Sequence, residues 1–228
     1  MRRWGILLVV LLVAPNMGRA QTPSVGFHGG LNMAKISIDE DLLDDDAENK
    51  MRFGSSFGAR VLFPLSPSFS LESGLTYSMK GTKIEWEGIV EDQTGNEYDG
   101  EEITTYKLTY LTIPIMARFY PAPEGSVRPY LKAGPEVGLK LSAKYDYELN
   151  VEGDEVESEE GEDLDDVKGL DLGLGLGGGV EMPIGDAMNF FGELGYTLGL
   201  LDIFDDDSDE SFKNRVFGVS VGMTFNLQ

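Results

Sequence analysis

The sequence predicts an all-β protein: an eight-stranded antiparallel up-and-down transmembrane β-barrel behind an N-terminal signal peptide. Three observations predict it. The chain opens with the pattern of a secretory leader. Eight later segments alternate apolar and polar residues, most over 12 positions or more, against about 5–6 for a soluble strand. The connections between them alternate strictly between long and short, as outer-membrane barrels require.

The leader comes first. Met1, Arg2 and Arg3 form a basic start, Ile6 to Ala14 are almost wholly apolar, and Pro15 ends the run. Gly18 and Ala20 put small residues at the two positions a signal peptidase reads. The run is shorter than the roughly 20 residues a membrane helix needs. Cleavage after Ala20 is expected, leaving residues 21–228 as the barrel domain. The chain has no cysteine, which excludes disulfides, thiolate catalysis, cysteine-held metals and a lipidated N-terminus. Its net charge of −22 excludes a nucleic-acid partner.

The strand segments follow in order: 24–36, 52–63, 68–84, 104–120, 127–148, 168–182, 188–201 and 212–227. In the fourth, Leu111, Ile113, Ile115, Ala117 and Phe119 oppose Thr112, Met116, Arg118 and Tyr120. In the fifth, Leu131, Ala133, Val137, Leu139 and Leu141 oppose Arg128, Lys132, Glu136, Lys140 and Lys144. The sixth places Leu170, Leu172, Leu174 and Leu176 on one face, with Asp171 and a run of glycines on the other. The seventh sets Phe190, Leu194, Tyr196 and Leu198 against Asn189, Glu193 and Thr197, and the last sets Phe217, Val219, Val221, Met223, Phe225 and Leu227 against Ser220, Gly222, Thr224 and Asn226. Alternation alone does not say which face points inward. Signal peptide, strand length and loop parity do: apolar faces meet lipid, polar faces fill the lumen. The glycines of the sixth strand then leave room in a narrow interior. Lipid enforces their pairing, because an unpaired backbone group there costs several kcal/mol. Pro114 and Pro135 lie inside strands and cannot donate to a ladder, so a bulge is expected at each.

Short connections fall at 64–68, 121–126 and 183–187, each opening on a proline. An even strand number puts both termini on that periplasmic side. The long connections are 37–51, 85–103, 149–167 and 202–211.

Several stretches resemble the PorT-like or porin-family outer membrane β-barrel proteins. They are GFHGGLNMAKIS (26–37), FGARVLFPLSPSFSLESGLTYSMKG (57–81), YLTIPIMARFY (110–120), RPYLKAGPEVGLKLSA (128–143), DLGLGLGGGVEMPIG (171–185) and FGVSVGMTFNLQ (217–228). The resemblance implies the barrel fold and location in the outer membrane of a Gram-negative bacterium. It implies no activity: the family shares no catalytic motif, and no stretch here matches one for the secretion-system assembly to which some members are linked.

The acids are concentrated. The four long loops hold 31 of the 40 acidic residues and one base, Lys50. Such loops make a strongly negative rim. Asp44, Asp45, Asp46, Asp205, Asp206 and Asp207 are the candidate cation ligands, with Ca²⁺ the ion that favours clustered carboxylates. The spacing is not that of an EF-hand, and a solvated charged surface explains the same runs. No cofactor is expected.

Inside, Arg60, Lys80, Arg118, Arg128, Lys132, Lys140 and Lys144 are expected to meet Glu72, Glu136, Asp171, Glu181 and Glu193. They either line a narrow channel or pair and fill the lumen, as eight strands leave room for little more than side chains. His28, the sole histidine, is expected to fill space there rather than catalyse. Trp86, Tyr98, Tyr77, Tyr145 and Tyr196 suit an interfacial aromatic girdle. The expected function is therefore non-enzymatic: a monomeric outer-membrane barrel with a structural or surface-interaction role. Its partners are lipid and either divalent cations or surface polysaccharide. The alternative is a narrow porin-like channel for ions or small solutes.

Overall fold

The computed structural model describes residues 22–38, 46–91, 97–204 and 211–227. The predicted signal peptide lies outside them. Among the described residues there are nine strands and no helix: β1 Ser24–Ser37, β2 Ala47–Ser66, β3 Phe69–Glu91, β4 Glu97–Phe119, β5 Arg128–Val151, β6 Asp154–Asp163, β7 Leu170–Ile184, β8 Met188–Gly199 and β9 Lys213–Asn226. Every pairing is antiparallel. Eight strands close a ring in the order β1–β2–β3–β4–β5–β7–β8–β9, and β1 pairs with β9 to shut it. Closure leaves no strand edge in the hydrocarbon, which a membrane demands.

The faces are those the alternation predicts. Phe53 is 73% exposed, Phe27 65% and Leu131 60%, while Arg118 is 0% and Glu72 2% exposed. The molecule is inverted relative to a soluble sandwich, with a polar inside and an apolar outside. The start of β1 and the end of β9 lie with the short turns, since Ser24 pairs with Asn226 and Leu227 donates its N–H to the Pro23 carbonyl at 2.9 Å.

Three local expectations need correction. The prolines need no bulge. The β3–β4 ladder skips beside Pro114 and resumes in register, and the β4–β5 ladder does the same beside Pro135. Successive residues bond to opposite neighbours, so a missing N–H opens one side only. The bulge lies higher, where Tyr110 pairs with Lys140 but Thr109 with Ser142. That extra residue swaps the faces of upper β5. Ala143 becomes buried against Leu108 and Tyr110, Tyr145 turns to the inner side opposite Tyr106, and Lys144 turns outward. Neither Lys144 as a lumen base nor Tyr145 as a lipid-facing residue survives.

The third correction concerns the long connections. β3 and β4 stay paired up to Glu91 and Glu97, and the third connection contains β6, hairpinned onto β5. The turn between them is Glu152 and Gly153, both with positive φ (52° and 88°), the two-residue geometry that suits strand twist. The wall of the barrel is therefore uneven. Strands β2 to β6 rise well above the mouth as a sheet, and β1, β8 and β9 stop near it.

Candidate functional site

Two regions hold chemistry: the lumen and the raised wall. In the lumen, each inward position is dictated by strand parity, and the side chains meet as pairs. Arg60 forks onto Glu193 at 2.9 and 3.0 Å and reaches Glu72 at 3.5 Å. Arg118 bonds Glu72 and lies 3.4 Å from Glu181. Lys132 bridges Glu72 and Glu193 at 3.2 and 3.0 Å, and Arg128 bonds Glu181. Aromatic faces cover the cations: Phe191 lies 4.2 Å below Arg60 and Tyr130 3.9 Å from Arg118. Higher up, Lys80 pairs with Asp171 at 2.9 Å, and Asn214 donates to the same carboxylate oxygen at 3.0 Å. Glu136 accepts from Thr197 at 3.0 Å. His28 Nε2 lies 3.3 Å from the Thr76 hydroxyl, and its Nδ1 finds no partner among the described residues. A buried charge is tolerated only when paired and hydrogen-bonded; every charge named here but Glu136 has an ionic partner, while Nε of Arg60, Arg118 and Arg128 and Oδ1 of Asp171 find none among the described residues.

The glycines of β7 explain themselves here. A Cβ on Gly175 would strike the Met116 methyl and come within 2.8 Å of Glu136 Oε1. One on Gly179 would come within 2.7 Å of the Tyr130 hydroxyl. β7 is thin so that β4 and β5 can send large side chains across the lumen.

The lumen is interrupted. A cavity of about 130 Å³ lies at mid-height, lined by His28, Thr76, Lys80, Glu136 and their neighbours. A vestibule of about 440 Å³ opens at the turn end beside Arg128, Glu181 and Asn189. Arg118, fully buried, reaches Glu72 of the first and Glu181 of the second, and so stands between them. At the other end Ile36, Leu108, Tyr110, Ala143, Val167 and Ile203 form an apolar cluster across the mouth. The segment after β6 supplies its centre. Val167 turns inward, bridges to Phe204, and gives its carbonyl to the Lys140 ammonium.

On the raised wall the two faces differ. The bases are on the outer face: Lys50 with Glu85 and Glu48, Lys83 with Glu85, Lys107 with Asp146, and Lys144 with Asp163. Hydrogen bonds from Lys50 and then Lys83 hold the Glu85 carboxyl below its usual range. The inner face carries Trp86, Tyr106, Tyr145 and Tyr147 with Glu102, Glu157 and Glu159, as the register requires. Burial raises the Tyr147 phenol, and the Glu102, Glu157 and Glu159 carboxylates raise it further. Trp86 and Tyr145 thus leave the predicted girdle, whereas Tyr77 stays outside, stacked on Phe57 at 4.8 Å, and Tyr196 is 38% exposed.

Of the candidate cation ligands, Asp44, Asp45, Asp205, Asp206 and Asp207 lie outside the described residues. Asp46 is exposed at the start of β2, and its carbonyl accepts the Glu87 N–H at 3.4 Å. Among the described residues no three acids stand close enough to hold a metal ion. The wall's inner face was hidden from sequence reasoning by the bulge in β5. The signal that could have found the β5–β6 hairpin is Glu152-Gly153, an acid–glycine pair inside an acidic run.

Residues 19–205 match the family model described as outer membrane protein beta-barrel domain. Among solved structures, the chain is similar to Neisserial surface protein A, with 14% identity over 89% of this chain and 97% of that one, at a TM-score of 0.46. It is similar to Ail, the attachment invasion locus protein of Yersinia pestis, in complex with the heparin analogue sucrose octasulfate, with 12% identity over 90% and 99% at a TM-score of 0.38. OprG from Pseudomonas aeruginosa gives 9% identity over 92% and 98%, at a TM-score of 0.43. No curated protein sequence matches the chain.

Proposed function

We propose a function for this chain on one premise: it belongs to the outer membrane protein beta-barrel domain family, and is a small outer-membrane barrel. The barrel is a closed anchor that acts without catalysis. Its raised acidic wall is the working part, attracting cations and cationic partners at the cell surface. One observation carries this reading: most charges of the lumen are spent on each other, while the wall carries acids far in excess of its bases. Arg118, with no exposed surface and carboxylates on two sides, blocks the route an ion would take. That favours the anchor over the narrow channel.

Ca²⁺ is the divalent ion such oxygen-rich surfaces suit. In sequence, Asp44–Asp46 and Asp205–Asp207 add carboxylates to the β1–β2 and β8–β9 connections. Limited proteolysis of the protein in micelles tests this, with NaCl and CaCl₂ titrated at matched ionic strength. Calcium should protect cleavage sites near Leu164 or Phe204 at concentrations where NaCl does not. Equal protection by both salts would mean screening alone, and the cation-binding reading would fall.

A further inference from the structure

The two faces of the raised wall are not equivalent, and the difference selects a ligand. On the outer face, Lys50, Lys83, Lys107 and Lys144 each already pair with a carboxylate. On the inner face of the raised part of β3 to β6, residues 82–91, 97–106, 145–151 and 154–163, the described residues include no lysine or arginine. Glu102, Glu157 and Glu159 have no ion-pair partner there. Among them stand three aromatic side chains. Trp86 lies along its strand, its ring over Gly88, where a Cβ would collide with it. Tyr147 pairs in register with Thr104 on one side and Glu159 on the other, and Tyr145 pairs with Tyr106 and Glu162. Glu102 is opposite both Trp86 and Leu149, and Leu149 is opposite Glu157. Aromatic faces and carboxylates therefore interleave on one sheet surface. None of these rings is buried.

We infer that this inner face docks an extended, arginine-bearing peptide segment, whose guanidinium groups stack on Trp86, Tyr145 and Tyr147 and pair with Glu102, Glu157 and Glu159. Guanidinium is the cation that does both at once: it is planar, stacks on rings and forks onto carboxylates. A bare metal ion would use the acids and ignore the rings. A neutral sugar would use the rings and gain nothing from the acids. The carboxylates are spread along the wall rather than gathered at a point, which fits several cationic groups in a row better than one ion. β6 is also the last strand of the raised sheet, pairing only with β5 among the described residues. Its acids oppose self-pairing of that edge and favour a basic strand beside it.

This inference rests on reading the wall as an interaction surface, and its test separates the two. The refolded chain in zwitterionic micelles is titrated into fluorescein-labelled hexa-arginine, with fluorescence anisotropy as the readout. Hexa-lysine and CaCl₂ serve as competitors. Two triple variants carry the same change in charge: Glu102→Gln/Glu157→Gln/Glu159→Gln on the inner face, and Glu87→Gln/Glu101→Gln/Glu148→Gln on the outer face. A heat-modifiability gel confirms that each is folded. The inner triple should weaken hexa-arginine binding at least about tenfold and the outer triple less than about twofold, since paired carboxylate contacts are lost only in the first. Trp86→Leu/Tyr147→Leu keeps apolar bulk and every charge. It should weaken hexa-arginine by about fivefold and hexa-lysine less, as stacking on rings is stronger for guanidinium. Equal loss in the two triples, or no loss in the aromatic pair, would overturn the docking face and leave a diffuse acidic wall. Failure of the wild-type chain to bind hexa-arginine, hexa-lysine or calcium would overturn the wall's function as well.

Discussion

The lumen and the raised wall use the same residue types to opposite ends. Inside, Arg60, Arg118, Arg128 and Lys132 share Glu72, Glu181 and Glu193 so closely that each carboxylate touches at least two cations. Outside, β6 carries seven acids in ten residues and its only described ion pair is Asp163 with Lys144. Low dielectric makes the difference. A buried charge without a partner is prohibitively costly, so the lumen must pair its charges. Water and salt screen the wall, so it is free to carry a net charge. Pairing therefore marks structure, and acids left without a base mark the surface offered to partners.

The largest effect should come from unbalancing the lumen. Arg118→Leu removes the cation that Glu72 and Glu181 share, leaving Glu72 with Arg60 and Lys132 and Glu181 with Arg128, and the loss of two buried charge-assisted contacts should cost about 3 kcal/mol. Urea unfolding in micelles would show it as a large drop in midpoint. A change below about 1 kcal/mol would mean the network is hydrated and dispensable. The next effect is steric. Gly175→Leu pushes a side chain onto Met116 and Glu136 and should cost about 1–3 kcal/mol. Gly192→Ala on neighbouring β8 meets nothing within 4 Å and should be near neutral. Equal costs would break the account of why β7 is thin.

On the wall the same kind of substitution should do little. Lys107→Ala removes the partner of Asp146, and an exposed pair is worth about 0–1 kcal/mol. The smallest effect is a titration. Glu85 is held low by Lys50 and Lys83. Its support for the upper β2–β3 pairing is thus complete above the unfolded carboxyl value of about 4.3 and is lost as pH falls through the lower folded value. Carbon-13 NMR of the Glu85 carboxyl should give a midpoint below about 4.3. A midpoint at or above it would mean the lysines do not hold it.

Much of the barrel was legible because two constraints act residue by residue. Lipid sorts alternate positions, so Leu170, Leu172, Leu174 and Leu176 announce one face and Asp171 the other. The turns announce themselves by proline at 64, 121 and 183. The wall was not legible because no such sorting acts on it. Residues 154–163 read as loop, since glutamate and aspartate are poor strand formers; they form β6 because the Glu152-Gly153 turn folds them onto β5. The single extra residue at the Thr109/Tyr110 irregularity is silent in the local pattern, because Leu141 and Ser142 continue the alternation. Only the partner strand reveals that Tyr145 and Tyr147 now face inward with Glu102, Glu157 and Glu159. Apart from Lys144, which the bulge turns outward, the lumen residues follow from parity, but which cation met which acid depended on ring closure between β1 and β9.

The central claim is that the barrel is a closed anchor for its wall. Planar-bilayer recording of the refolded chain tests it most directly. No resolvable single-channel steps are expected from the intact protein, because Arg118 and the apolar cluster around Val167 and Ile203 interrupt the lumen at two levels. Steady, uniform current steps from the wild-type chain would contradict it, and the narrow channel would take its place.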